Sequence, residues 1–326
     1  MCSSDLAAAS GAPRFDYDPV ALTPKGLLIE ETRTNSITYS NDYTNVIWQK
    51  NNCTITASAT NSPDGTANAS AIYETAVTGE HQIANAAPTF SANTAWTLSA
   101  FVKPIGGRNC TLFWYTNSIN TVLTATFDIT AGTIVTAATA SGSAPPTNIS
   151  ASITASSNGF YRVSITGTTA ATAGAGAVRI HAASGTSNNY AGDVTKGIYC
   201  FGAQLEAGAF PTSYIPTVAA TVQRGADNAS MTGTNFSSWY NTAQGTFFAK
   251  AQGLYNTATS NGARYVLANT PSNAYYMYTN QNDTNIRSYD GANNLSAAVS
   301  NFSSINKFAS AWSGSDRKST RLNSSH

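Results

Sequence analysis

Residues 95–103 read Ala-Trp-Thr-Leu-Ser-Ala-Phe-Val-Lys, and this alternation limits the fold more than any other feature of the chain. Side chains of a strand point to opposite faces in turn, so Trp96, Leu98, Ala100 and Val102 fall on one face. Thr97, Ser99, Phe101 and Lys103 fall on the other. This is the period of a half-buried strand. Further strands are predicted at 111–115, 123–129, 161–166, 178–181 and 198–205, separated by turn-rich intervals such as Gly106-Gly107, Ser141-Gly142 and 174–176. Several short strands so spaced, with no convincingly capped helix among them, predict an all-β fold built as a sandwich.

Residues 202–217, Gly-Ala-Gln-Leu-Glu-Ala-Gly-Ala-Phe-Pro-Thr-Ser-Tyr-Ile-Pro-Thr, organise the rest. They read as the closing strand of one domain, a turn, and an exit held by Pro211 and Pro216. A length of 326 residues suits two domains, each large enough for its own core. The predicted division is a linker and strap strand over 7–35, a first sandwich over 36–216 and a second, incomplete one over 217–315. In the second, strands are sketched at 245–251, 264–269, 274–279, 285–289 and 308–312, with the Asp290-Gly291 turn pairing the fourth to the segment after it.

Charged residues make up only 10% of the chain, against roughly 25% in ordinary soluble domains. The surface this implies is neutral and rich in hydroxyls. Lys and Arg do not cluster into a patch that would track a phosphate backbone, so nucleic acid is not an expected partner. No apolar run reaches the length of a membrane span. Cys53, Cys110 and Cys200 show no Cys-x-x-Cys spacing, which disfavours zinc and predicts buried free thiols, with one disulfide among them left open by the sequence.

Catalysis needs a positioned acid, base or nucleophile. His81 is expected in a polar turn and His181 at a strand end, both as plain surface or satisfied histidines. There is no Gly-x-Ser-x-Gly elbow, His-Glu-x-x-His or phosphate-cradling loop. The acids Glu30, Glu31, Asp64, Glu74, Glu80, Asp128, Asp193, Glu206 and Asp227 are scattered, whereas glycoside cleavage needs a carboxylate pair across one bond. No catalytic residue is assigned and no cofactor is expected. Asp16 and Asp18 are weak candidates for a structural calcium, because two carboxylates make an incomplete shell.

Sugar binding leaves another signature, aromatic rings on a hydroxyl-rich surface. The densest candidate is Thr-Leu-Phe-Trp-Tyr-Thr-Asn over 111–117. Alternation sets Phe113 and Tyr115 on one face and Leu112 and Trp114 on the other. Trp114, Tyr115 and Asn117 are the candidate carbohydrate contacts, with Tyr115 and Asn117 facing outward together if Leu112 and Trp114 are core. Trp48 and Trp96 are expected in the core.

The motifs also carry a resemblance. "RFDYDP…KGLLIEE-RTN" from Arg14, "QLEAG-FPTSYIPT" around the junction and "FSSWYN…GT" after it resemble phrases of tail and fibre-associated proteins of tailed bacteriophages. The opening of the first sandwich through Trp48, with the strand over 95–103, is similar to family 4/9-type carbohydrate-binding modules. This resemblance implies a jelly-roll sandwich followed by an incomplete concanavalin-A-like, laminin-G-like one. It implies a non-enzymatic virion protein whose partners are host-surface glycans and other tail proteins, and leaves the oligomeric state open. The alternatives are a secreted bacterial glycoside hydrolase or its accessory module, and a purely structural spacer. Residues 1–6 and 316–326 resemble translations of a sequencing adapter, which implies a truncated reading frame and segments with no fold of their own. Setting them aside removes Arg317, Lys318 and Arg321 against Asp5 and Asp316, and leaves no net formal charge.

Overall fold

The computed structural model describes residues 13–116, 121–171, 173–230, 233–241 and 244–251, and beyond these the segments 264–268, 276–279, 285–289, 294–298, 306–313 and 316–322. The chain divides into two compact units, Met1–Ala229 and Ser230–His326. It is all-β, with antiparallel pairing throughout the described sheets.

The first unit opens with β1 (Phe15–Tyr17), β2 (Pro24–Leu27) and β3 (Arg33–Asn35). Next come β4 (Trp48–Asn51), β5 (Cys53–Thr60), β6 (Ala69–Glu74), β7 (Thr78–Asn85), β8 (Ala95–Ile105) and β9 (Asn109–Thr116). Then follow β10 (Thr121–Asp128), β11 (Thr133–Ser141), β12 (Thr147–Ala155), β13 (Tyr161–Thr168) and β14 (Gly176–Ala183). The last are β15 (Asn189–Ala191), β16 (Gly197–Ala207) and β17 (Val222–Arg224). A seven-stranded sheet has the order β11-β10-β9-β14-β7-β15, with β4 also on β7, and a six-stranded sheet has the order β12-β13-β8-β16-β6-β5.

The two sheets face each other across one core, which makes this unit a β-sandwich. The β8 alternation places Trp96, Leu98, Ala100 and Val102 inside, with Val163, Ile165, Ile198 and Cys200 of the same sheet. Opposite them stand Leu112, Trp114, Leu123, Phe127, Val178 and Ile180. Each large apolar side chain so buried contributes about 1.5–3 kcal/mol. Trp48 is buried as expected, edge-on to Tyr43 at 5.1 Å, its indole N–H donating to the Tyr39 carbonyl. Cys110 and Cys200 are buried free thiols and Cys53 is a half-buried one. Burial pushes Cys53 up to about 11 and Cys200 to about 12, so neither is a ready nucleophile.

Residues 211–217 cover the outer face of the six-stranded sheet. Tyr214 packs on Phe201, which in turn meets Phe101, the apolar residue on the otherwise polar side of β8. The Glu206 carboxylate accepts from the Thr212 N–H and hydroxyl and from the Gln204 amide. Asn35, fully buried, donates to the Ala203 and Ile215 carbonyls and accepts from the Ile37 and Leu205 N–H groups.

The first unit extends to Ala229, past the boundary expected at Pro216, because the incoming and outgoing segments are tied together. β17 pairs with β3, Val222 opposite Asn35 and Arg224 opposite Arg33. Asp227 accepts from the Arg14 guanidinium and the Glu30 N–H, while Glu30 pairs with Arg14 at 2.7 Å and Arg224 at 3.2 Å. The strap expected as one strand before Asn35 is thus two short strands, β2 and β3, flanking a buried carboxylate.

In the second unit β18 (Gln244–Ala251) is followed by β19 (Arg264–Ala268), β20 (Tyr276–Thr279), β21 (Asn285–Tyr289) and β22 (Asn294–Ala298). β23 (Asn306–Ser313) and β24 (Asp316–Leu322) complete it. These form sheets of order β18-β23-β24 and β19-β20-β21-β22. The β21–β22 hairpin pairs as predicted, while Asp290 and Gly291 lie outside the described residues. Residues 316–322, expected to have no fold of their own, instead pair along β23 as the sheet's edge strand, Asp316 opposite Ser313 through to Leu322 opposite Lys307. The backbone ladder accounts for this, since it asks only for an extended chain with free N–H and C=O groups.

Candidate functional site: the outer face of the seven-stranded sheet

Registers across β10, β9, β14, β7 and β4 fix which side chains share the outer face. One row runs Thr124, Phe113, Arg179, Ala84 and Gln49. The next runs Thr126, Thr111, His181, Gln82 and Asn51. Val122, Tyr115 and Ala177 stand in a third. Trp114 faces the other way because its cross-strand neighbours, Leu123 and Val178, are core residues.

Phe113 and Tyr115 are half-buried and meet edge to face, ring centroids 6.0 Å apart. The Arg179 guanidinium lies over both, 5.3 Å from the Phe113 ring and 5.1 Å from that of Tyr115. It is also 3.9 Å from the Glu80 carboxylate, too long for a direct hydrogen bond. His181 stands beside Phe113, centroids 6.1 Å apart, and is only 1% exposed. Neither of its ring nitrogens has a hydrogen-bond partner among the described residues; the same is true of Gln82 Oε1 and Arg179 Nε. The neighbouring hydroxyls of Thr111 and Thr126 bond each other at 2.9 Å. Burial, with the Arg179 charge adding to it, pushes His181 down to about 3, so its imidazole is neutral and carries one donor and one acceptor.

Of the residues singled out in the sequence, Tyr115 is on this face. Trp114 is not: it is 0% exposed, stacked on Phe90 at 5.1 Å inside the core, and out of reach of any surface ligand. Asn117 lies outside the described residues. Asp18 spends its carboxylate on the Val20 and Ala21 N–H groups of a turn, and no metal-holding group of three or more ligating side chains occurs among the described residues.

His81 is satisfied, one of the two readings expected, but not in a polar turn, while His181 is neither exposed nor hydrogen-bonded among the described residues. His81 lies within β7, fully buried, with Nδ1 2.8 Å from the Asn52 carbonyl and Nε2 3.3 Å from that of Tyr190. His181 is buried on the sheet face. Sequence reasoning missed Arg179, which meets Tyr115, and Gln82, which shares the face opposite His181; strand pairing alone brings them there.

The buried carboxylates hold the fold together. Glu74 takes the Arg108 guanidinium in bidentate fashion, the Tyr190 hydroxyl at 2.7 Å and the Asp193 N–H at 2.8 Å. Burial pushes its carboxyl up, but these hydrogen bonds outweigh burial and hold it below the usual range. Glu30 and Glu206 are committed to the clasp between the incoming and outgoing segments. No protein-family model and no curated protein matches the chain.

Proposed function

We propose that this chain is a non-enzymatic virion protein of a tailed phage, tail or fibre associated. On this reading its first unit is a carbohydrate-binding-module-like jelly roll that holds a host-surface glycan on the outer face of the seven-stranded sheet, and its second is a concanavalin-A-like domain. The observation that supports this reading most is the half-buried Phe113–Tyr115 pair under Arg179, on a sheet face that also carries Gln82, Gln49 and several Thr. A sugar's C–H face stacks on such rings while amides and hydroxyls meet its hydroxyl groups. The ring motifs and the phage-like phrases at the junction agree with it. A single shallow site is weak, so useful avidity comes from many copies on one particle. Stacking and neutral hydrogen bonds dominate, so affinity should change little with salt.

The test is a glycan array probed with the full chain and with Tyr115→Ala. The expected result is binding to a defined set of glycans, weakened at least about tenfold by the substitution, which is on the order of 1.4 kcal/mol. Binding that survives Tyr115→Ala removes the site assignment. An array without hits, or release of reducing sugar abolished by changing one carboxylate, removes the function.

A further inference from the structure

Four buried polar atoms without partners stand on neighbouring positions of one sheet face: both ring nitrogens of His181, Gln82 Oε1 and Arg179 Nε. Leaving such an atom unpaired forfeits its hydration without a hydrogen bond in return. A patch holding four is therefore built around something that pairs with them. Its composition says what. Gln82 Oε1 accepts, Arg179 Nε–H donates, and a neutral imidazole offers one of each. A carboxylate brings only acceptors and an ammonium only donors, so neither pairs the whole set. A hydroxyl donates one hydrogen bond and accepts two, so a single one can accept from a His181 N–H and donate to Gln82 Oε1 together.

We infer that His181 and Gln82 read one hydroxyl group of the bound sugar and so set which sugar the site accepts. The inference rests on the glycan-binding reading above and adds to it the residue pair that discriminates. Arg179 now lies over the two rings, beside His181 in sequence register on β14. A sugar stacking on those rings displaces the guanidinium, with the Glu80 carboxylate 3.9 Å away as its alternative neighbour. That movement opens the way to His181 and Gln82, so stacking and hydroxyl reading are coupled. Because His181 is held neutral, its donor and acceptor persist across the range where ordinary histidines titrate.

The chain has only three histidines, so selective labelling resolves the one that matters. Full-length protein carrying nitrogen-15 histidine would be titrated with glucose, galactose, mannose and N-acetylglucosamine, and with their monodeoxy analogues. One parent sugar should move the His181 ring signals and leave His81 in place. One deoxy analogue should fail to move them and bind at least about tenfold more weakly. His181→Phe, and separately Gln82→Leu, should bring parent and analogue to equal affinity. If a sugar binds and loses affinity on Tyr115→Ala without moving the His181 signals, and every deoxy analogue binds like its parent, the inference fails and the glycan-binding reading stands. If no sugar binds, both fail.

Discussion

A methyl group on Gly208 would occupy the space already filled by the Arg33 guanidinium. Arg33 reaches over the turn to donate to the Ala207 carbonyl and lies above the Phe210 ring at 4.9 Å, which the bare glycine permits. The backbone there, at φ +149°, is also one that side chains rarely adopt.

Gly208→Ala should therefore lower stability through two effects, backbone strain of about 1–3 kcal/mol and overpacking of about 1–3 kcal/mol. Gly26, at φ +122° with nothing within 4 Å of an added Cβ, isolates the first effect. Urea unfolding followed by fluorescence of the buried Trp48, Trp96 and Trp114 should show a clearly larger loss for Gly208→Ala than for Gly26→Ala. Equal losses would mean that Arg33 moves aside at no cost.

Glu74→Leu leaves the Arg108 charge buried without its partner and should cost about 3–5 kcal/mol. Adding Arg108→Leu should recover much of this. The sign of the pH effect comes from a carboxyl held below its ordinary value of 4.5. Its contribution is complete above that value and is lost as pH falls through the lower, folded-state one. Acid unfolding of the double variant should be shallower than that of the native chain.

His181 acts in the same sense over a higher pH window. Its value is 6.5 in the unfolded chain and about 3 when folded, so between these the unfolded state binds the extra proton. Stability should fall as pH drops from 6.5 towards 3, by up to about 1.4 kcal/mol per pH unit from this group. Arg179 on its own strand, Glu80 on β7 and Asp128 on β10 are charged groups on that face. His181→Phe should flatten the slope between pH 6.5 and 4.5, measured as urea midpoints; an unchanged slope would assign it to other groups.

Limited proteolysis should cut between Ala229 and Gln244, where the described residues are mostly exposed, and release a stable N-terminal fragment. The 211–217 stretch should resist, since Thr212, Ser213, Tyr214, Ile215 and Thr217 are buried. Early cutting within it would contradict its packing on the six-stranded sheet.

The central strands were legible because their alternation is set by one dry face. Residues 95–103, 111–115, 161–166, 178–181 and 198–205 all lie within observed strands. β11 and β12 were not legible. They are edge strands of Thr, Ala and Ser with exposed Ile134, Val135 and Ile149, and weak burial leaves weak periodicity. Alternation also separated Trp114 from Tyr115 without saying which side is wet; Leu123 and Val178 decide that from other strands. The site was half legible for the same reason. Its rings sit in one strand, while Arg179, His181 and Gln82 join them by pairing across the sheet.

The pairing of β3 with β17 also has a mechanical meaning. Arg33 sits opposite Arg224, so the chain arrives at and departs from the sandwich at one point. A pull applied ahead of Arg14 and beyond Asp227 reaches the Arg14, Glu30 and Asp227 ion pairs first, then peels the short ladder from its Arg33–Arg224 end. The sandwich hangs beside the line of force and carries no load until that clasp yields. Single-molecule stretching should show a small early release ahead of the main unfolding event, and Asp227→Asn should lower the force of the first while leaving the second in place.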